Sequence, residues 1–367
     1  MLIKLAILGT RGIPARYGGF ETFAEQLATR LVRCGIDVTV FCPSSSPRSD
    51  ETNGGVRLRF VKCPALGKYS QIFWDAKCFC VAYRGFDVVY MLGVAGAFAA
   101  WVPRISGAKV WMNADGLEWQ RRKWTWPQRA YLALAEALSV LFATRLIADS
   151  GAIADYLRDR FPGLRRVSTI AYGADIPPDN PNAKWIEQWG LDPDSYYIVV
   201  CRLEPENHLL EIVEGFEQSQ SPLPLVVLGN IENPNPYVCA LLERRSNRVR
   251  FIGTVYDKEK LAALRFYARA YLHGHSVGGT NPSLLEAMAC SNLVIAHDNP
   301  FNREVLQDSG LFFTTRPELA AAINAIDSAQ VDVRTLRNRA TERIRSSYQW
   351  SQIADSYLEL LESQTVR

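Results

Sequence analysis

Twice along this chain a short β-branched run, a turn and an amphipathic helix alternate, and a proline-rich stretch divides the two series. In the first half the runs are LIKLAIL (2–8), DVTVFC (37–42), VRLRFV (56–61), DVVYML (87–92), KVWMN (109–113) and RLIAD (145–149). Helical stretches lie between them, such as 20–34, where Phe20, Phe23, Leu27 and Leu31 are spaced for one face. Strands alternating with helices imply a parallel sheet covered on both sides. The segment 174–184 carries Pro177, Pro178 and Pro181 and reads as a linker. The alternation then restarts with YYIVVC (196–201), LPLVVLGN (223–230), VRFIG (249–253), AYLHG (270–274), NLVIAH (292–297) and GLFFT (310–314). A last amphipathic helix is expected over 348–363. Two α/β domains follow, and 367 residues is a natural length for two.

The bulk numbers exclude several classes. With 48% hydrophobic and 22% charged residues the chain has material for two cores, and a net charge of +3 argues for no nucleic-acid partner. No run of eighteen apolar residues offers a membrane span. The eight cysteines are read as buried thiols of a reducing compartment, since even Cys78 and Cys80 lack zinc-type partners. LIKLAILG reads as a strand rather than a leader, so a cytoplasmic protein is expected.

In open parallel sheets ligands sit outside the carboxyl ends of the strands, where loops lead into helix N-termini. The notable motifs fall on those loops. Gly18 and Gly19 precede helix 20–34, whose free amides suit a phosphate or an acceptor oxygen. The spacing is not G-x-G-x-x-G, and strand two ends without an acid, which weakens a nicotinamide site. After KVWMN, Asp115 before Gly116 reads either as a hydrogen-bond acceptor facing an acceptor hydroxyl or as a plain Asp-Gly turn; Glu118 is a second candidate. Trp119, Arg121, Arg122, Lys123, Trp124 and Trp126 mix aromatics with cations before the apolar helix 128–143. Together they read as a surface resting on an anionic bilayer or as a buried helix with a basic cap. Asp192-Pro193-Asp194 matches a metal-binding D-x-D, but it lies before a strand, at the wrong end of the sheet, and no metal is expected.

In the second half Arg202, at a strand end, is suited to grip a diphosphate by its planar fork. The strongest signal is GGTNPSLLEAMA, Gly278 to Ala289. Glycines there precede a helix opened by Asn281-Pro282-Ser283, with proline at a first-turn position and amides free for phosphate oxygens. Glu286 comes one turn later, where a carboxylate takes ribose hydroxyls.

At these residues the chain resembles the retaining glycosyltransferases of family 4, which have the GT-B fold. The resemblance covers the glycine loop at 18–19, LIADSGAIADYL, RLEPEN and the motif ending in Glu286. GTRGIPARYGGFETFAEQLA and NADGLEW are more specifically similar to bacterial β-1,4-L-rhamnosyltransferases of polysaccharide assembly. The resemblance implies two facing, doubly wound Rossmann-like domains: an acceptor domain at 1–175, a sugar-nucleotide domain at 176–346, and a helix at 347–367 crossing back to the first. It implies a metal-independent transfer of L-rhamnose from dTDP-L-rhamnose to a saccharide on undecaprenyl diphosphate, at the inner face of the plasma membrane. By position it makes Arg202 and Asp115 the catalytic pair. Gly18, Gly19, Asn207, His275, Gly279, Thr280, Asn281, Ser283, Leu284 and Glu286 fall to donor binding. Three departures stand out: the motif's first glutamate falls on Gly278, its lysine on Asn207, and a usual serine on His275. They suggest a pocket retuned for a 6-deoxy sugar, with His275 or Asn207 replacing lost contacts. Alternatives are a transferase using a UDP- or GDP-hexose, a sugar-nucleotide 2-epimerase working through His208, His273, His275 or His297, and a non-catalytic binding module.

Overall fold

A computed structural model describes residues 2–15, 18–46, 48–114, 116–121, 123–177 and 180–365. The chain divides into two compact units, residues 1–172 with 350–367, and residues 173–349.

The first unit carries β1 (Lys4–Leu8), β2 (Asp37–Ser44), β3 (Glu51–Asn53), β4 (Val56–Lys62), β5 (Val88–Leu92), β6 (Lys109–Ala114), β7 (Arg145–Ala148) and β8 (Val167–Thr169). Its helices are α1 (Gly19–Arg33), α2 (Ser70–Val81), α3 (Val102–Ile105), α4 (Trp126–Phe142) and α5 (Gly151–Arg160). The sheet order is β3-β4-β2-β1-β5-β6-β7-β8, parallel throughout except for the β3–β4 hairpin. β3 and β8 were not read from the sequence. Each is three residues long and largely exposed or half-buried, too short to show a period. From β1 the chain moves to one side through β2, then returns to the other through β5, β6 and β7. Because such crossovers are right-handed, α2, α3 and α4 share the face of the sheet opposite α1.

The second unit carries β9 (Tyr197–Val200), β10 (Leu225–Leu228), β11 (Val249–Gly253), β12 (Ala270–His273), β13 (Val294–His297) and β14 (Leu311–Phe313). Its helices are α6 (Lys184–Glu187), α7 (Leu209–Gln218), α8 (Pro236–Leu242), α9 (Lys258–Phe266), α10 (Pro282–Ala289), α11 (Pro300–Leu306), α12 (Arg316–Asp327) and α13 (Val333–Ser347). The order β11-β10-β9-β12-β13-β14 is all parallel, the doubly wound 3-2-1-4-5-6 arrangement. Its core joins β-strand residues such as Val199, Val227 and Leu272 to Ile212 and Phe216 of α7. Each such side chain stabilises by roughly 1.5–3 kcal/mol when fully buried.

The final helix, α14 (Trp350–Thr365), joins the first unit. Trp350 and Tyr357 pack on Phe23 of α1, and the Tyr357 and Tyr90 hydroxyls lie 2.9 Å apart. Burying two phenols is tolerated because each satisfies the other. The sequence reading of uniformly buried thiols needs correction: Cys34, Cys80 and Cys239 are exposed. Among the described residues no helix is long and apolar enough to cross a membrane.

Candidate functional site

In the second unit strand order reverses between β9 and β12, and there the two outgoing loops meet. Gly274 marks the meeting: a Cβ on it would stand 2.0 Å from the carbonyl oxygen of Asn207, so only glycine lets the backbones approach. After β9 the chain makes a single turn over Pro205–Asn207 and passes His208 at φ 45°. Asn207 is buried; its amide nitrogen donates to the Arg202 carbonyl at 2.7 Å and leaves Oδ1 to accept from His275 Nδ1 at 2.9 Å. That acceptor fixes the His275 tautomer with its proton on Nδ1. Gly278 follows at φ 130°, and a Cβ there would lie 3.1 Å from His275 Nε2. A glutamate at 278 would be strained in the backbone and would crowd the imidazole. The glycine and the histidine are two parts of one local change.

All four histidines of the chain converge on these strand ends. His208 Nε2 meets Ser276 Oγ at 2.9 Å, and its ring stacks on His297 with centroids 4.2 Å apart. The Ser276 hydroxyl donates to the Glu206 carbonyl, so it accepts from His208. Burial first, and then the neighbouring His208, holds His297 below the ordinary imidazole range. His273 is fully enclosed beside Tyr271, and burial pushes its pKa down to about 3. It is therefore neutral, and its Nε2 has no hydrogen-bond partner among the described residues. Asn302 staples this end together by donating to the carbonyls of His275 and His297.

Asn281 caps α10: its Oδ1 accepts from the Ser283 amide at 2.9 Å, with Pro282 in the first turn. The Leu284 amide reaches the Asn281 carbonyl at 3.1 Å, and the Leu284 side chain is in the core. In this conformation neither amide is the free phosphate donor that the sequence suggested. The Ser283 hydroxyl is also engaged, donating to the Val200 carbonyl and receiving Arg265 at 3.0 Å. Tyr271 completes the group at 2.9 Å from Ser283. Gly279 and Thr280 lie buried in the preceding bend.

Glu286 is not isolated either. Its Oε2 lies 2.6 Å from Nη2 of Arg265, a buried guanidinium, while 37% of the glutamate side chain stays open. Burial opposes the Arg265 charge, and Glu286, Tyr271 and Cys290 together outweigh it, so the net shift is upward. Sequence reasoning missed Arg265 because nothing on helix α9 marks it; only the fold sets it under α10. Arg202 is about half exposed, with Glu204 at 3.5 Å as its near carboxylate.

In the first unit Gly18 caps α1 and Gly19 opens it. The first turn holds its own acid: Glu21 is buried and accepts from the Arg11 amide at 2.8 Å. An added anion there would meet a like charge. Asp115 and Arg122 lie outside the described residues. Glu118 sits on a short turn and pairs with Arg121 at 2.6 Å and Lys123 at 3.5 Å, with Trp124 Nε1 at 3.1 Å. Arg121 is buried in this arrangement, while Lys123 stays exposed. Asp194, of the D-x-D, is bound to Arg269 at 2.5 Å.

Comparison with known proteins follows this division. Residues 181–347 match the family model described as glycosyl transferases group 1, and residues 3–175 match a domain of unknown function, DUF1972. No curated protein sequence matches the chain. Among solved structures, sucrose-phosphate synthase from Thermosynechococcus elongatus is 19% identical with a TM-score of 0.83, covering 98% of both chains. Anabaena HepE in complex with UDP-glucose is 18% identical, TM-score 0.74, covering 99% of this chain and 100% of its own. An α,α-trehalose-phosphate synthase (UDP-forming) from Burkholderia vietnamiensis is 13% identical, TM-score 0.74, covering 99% of each. At these identities the likeness is one of fold: two α/β domains with parallel sheets, of the GT-B type.

Proposed function

We propose, from the match of residues 181–347 to the family model of glycosyl transferases group 1 and from the GT-B fold, that this chain transfers a hexosyl unit from a nucleotide-sugar donor. The observation that carries the reading is the set of groups at the strand-order reversal of the second unit. There a half-exposed Arg202, the capped N-terminus of α10 and the partly open carboxyl of Glu286 share one strand-end region. Arg202 would hold the departing diphosphate and stabilise its developing charge without a metal. Glu286, anchored through one oxygen by Arg265, would present the other to the ribose. Asp115 would serve the acceptor hydroxyl.

For the donor we favour dTDP-L-rhamnose, supported by the motif similarity and by the paired change to Gly278 and His275. The UDP-glucose bound to HepE makes a UDP-hexose the first alternative. The acceptor proposed is a lipid-linked saccharide, met at the inner face of the plasma membrane by a peripherally bound enzyme. A donor screen tests this: dTDP-rhamnose and a set of UDP- and GDP-hexoses are supplied with lipid-linked acceptor, and nucleotide diphosphate release is followed. Release from dTDP-rhamnose is expected. Turnover of UDP-glucose alone would overturn the rhamnose assignment, and release from no donor would overturn the transferase reading.

The convergence of all four imidazoles favours one second reading, a sugar-nucleotide 2-epimerase using them to move protons. Product analysis without acceptor separates the two, since only an epimerase converts its substrate alone.

A further inference from the structure

A helix on the outside of a sheet ordinarily turns its polar face to water and its apolar face inward. α4 departs from this on its outer face. Its exposed stripe runs Trp126, Ala130, Leu134 and Leu141, spaced at successive turns of the helix, with Trp126 80%, Leu134 56% and Leu141 60% exposed. Its inward side carries Leu132 and Ala135 and, beside them, Glu136 and Ser139, all buried. Glu136 is satisfied there by Arg160 at 2.9 Å and the Tyr156 hydroxyl at 3.0 Å. Two of its polar residues are thus buried and satisfied, and the exposed stripe is apolar.

The stripe continues on its neighbours. α4 packs against the turn at 97–99, which in turn contacts α2, and α2 contacts α3. All lie on the same face of the sheet. Phe98, Trp101 and Ile105 are exposed between the two longer helices, and Phe73 and Val81 are exposed along α2. Isolated exposed apolar residues need no explanation, but a set shared by four adjoining elements does. The charges on these elements are divided by sign. Their two acids, Asp75 and Glu136, are both buried, while Lys77 and Arg104 are exposed and Arg129 half-buried. Burial pushes Asp75 up to about 8, so that acid contributes little charge at neutral pH. The surface thus offers aromatic and aliphatic side chains interleaved with cations and no exposed acid.

From this combination we infer that the outer face of α2, the 97–99 turn, α3 and α4 is a docking surface for an anionic lipid bilayer. Aromatic and leucine side chains enter the interfacial zone, and the cations meet the lipid phosphates. This deepens the membrane partner proposed above. It also moves the contact away from the Arg121–Lys123 stretch, whose described cations are paired with Glu118. The charge division selects a bilayer over a second copy of the chain, because two copies of this face would set like charges against each other.

The test uses the full chain and sedimentation with phosphatidylglycerol–phosphatidylcholine vesicles, against pure phosphatidylcholine vesicles and buffer. Binding is expected only with the anionic vesicles, falling with added salt. L134E/L141E is expected to cut partitioning tenfold or more, and R104E/K77E to weaken it severalfold. Both variants should melt within a few degrees of the parent, since all four positions are exposed. Equal partitioning of parent and variants, or no binding by the parent, would overturn the inference. So would a dimer in the parent, seen by light scattering, that L134E/L141E abolishes without change in vesicle binding. The measurement needs neither donor nor acceptor, so its failure leaves the proposed transfer reaction to stand or fall by its own assay.

Discussion

The two units follow one topological plan and put different chemistry at its critical point. Each sheet is parallel around a central first strand, and in each the strand order reverses beside that strand. In the second unit the reversal gathers Arg202, Asn207, four imidazoles and a helix N-terminus capped by Asn281. In the first it leads to α1, whose N-terminal turn already contains a buried acid, Glu21. An acid in the first turn disfavours a further anion at a helix end, and α10 carries none there. The shared fold therefore supplies two potential ligand ends, and they differ in the charge already present in the first helical turn.

The largest expected effect separates the units by activity. Arg202→Ala should lower kcat/KM by a factor of about 100 or more, the scale of losing one stabilising donor at a developing anion. Gly18→Ala should cost far less, and equal losses in the two variants would break the asymmetry. Next comes stability. Glu286→Ala leaves the buried guanidinium of Arg265 without its carboxylate. Breaking a fully buried pair costs about 3–5 kcal/mol, and the open part of Glu286 reduces this to about 2 kcal/mol, read by urea unfolding. Gly278→Ala asks an L-residue to hold φ 130° with its Cβ against His275, an expected cost of about 1–3 kcal/mol. It should also shift the donor preference more than the melting temperature of the first unit.

The smallest expected effect is a contrast in pH dependence. His273 in the second unit titrates at about 3 when folded against an ordinary 6.5, so the unfolded chain binds the extra proton. Its contribution is complete above pH 6.5 and is lost as pH falls from 6.5 toward 3. Asp75 in the first unit titrates at about 8 against 3.8, so the folded chain holds the extra proton. That contribution is complete below pH 3.8 and is lost as pH rises from 3.8 toward 8. H273F should therefore flatten the acid limb of the stability curve, and D75N the neutral and alkaline limb. Melting curves from pH 4 to 8 read both. A parent and an H273F variant with the same acid slope would remove His273 as the cause.

Most strands were legible because buried parallel strands are nearly continuous β-branched runs, and β2, β5 and β11 coincide with theirs to within two residues. The cap at Asn281 and the proline after it were legible for the same local reason. The state of Ser283 was not, since its partners Arg265, Tyr271 and Val200 come from other elements. Nor did the basic run reveal that Glu118 pairs with Arg121 and Lys123, or the apolar helix 128–143 which of its residues would stay exposed.

By itself the sequence determined two parallel α/β sheets, the loops that leave their strands, and the residue types those loops carry. These are consequences of periodicity and of backbone preferences that act over a few residues. Only the tertiary structure decided which groups those residues face: that Gly278 and His275 share one space, that Glu286 rests on Arg265, and that α4 turns its leucines outward. Such pairings depend on backbone paths and on neighbours from other elements, and burial, charge and hydrogen bonding choose among them only once the sheet has brought those elements together.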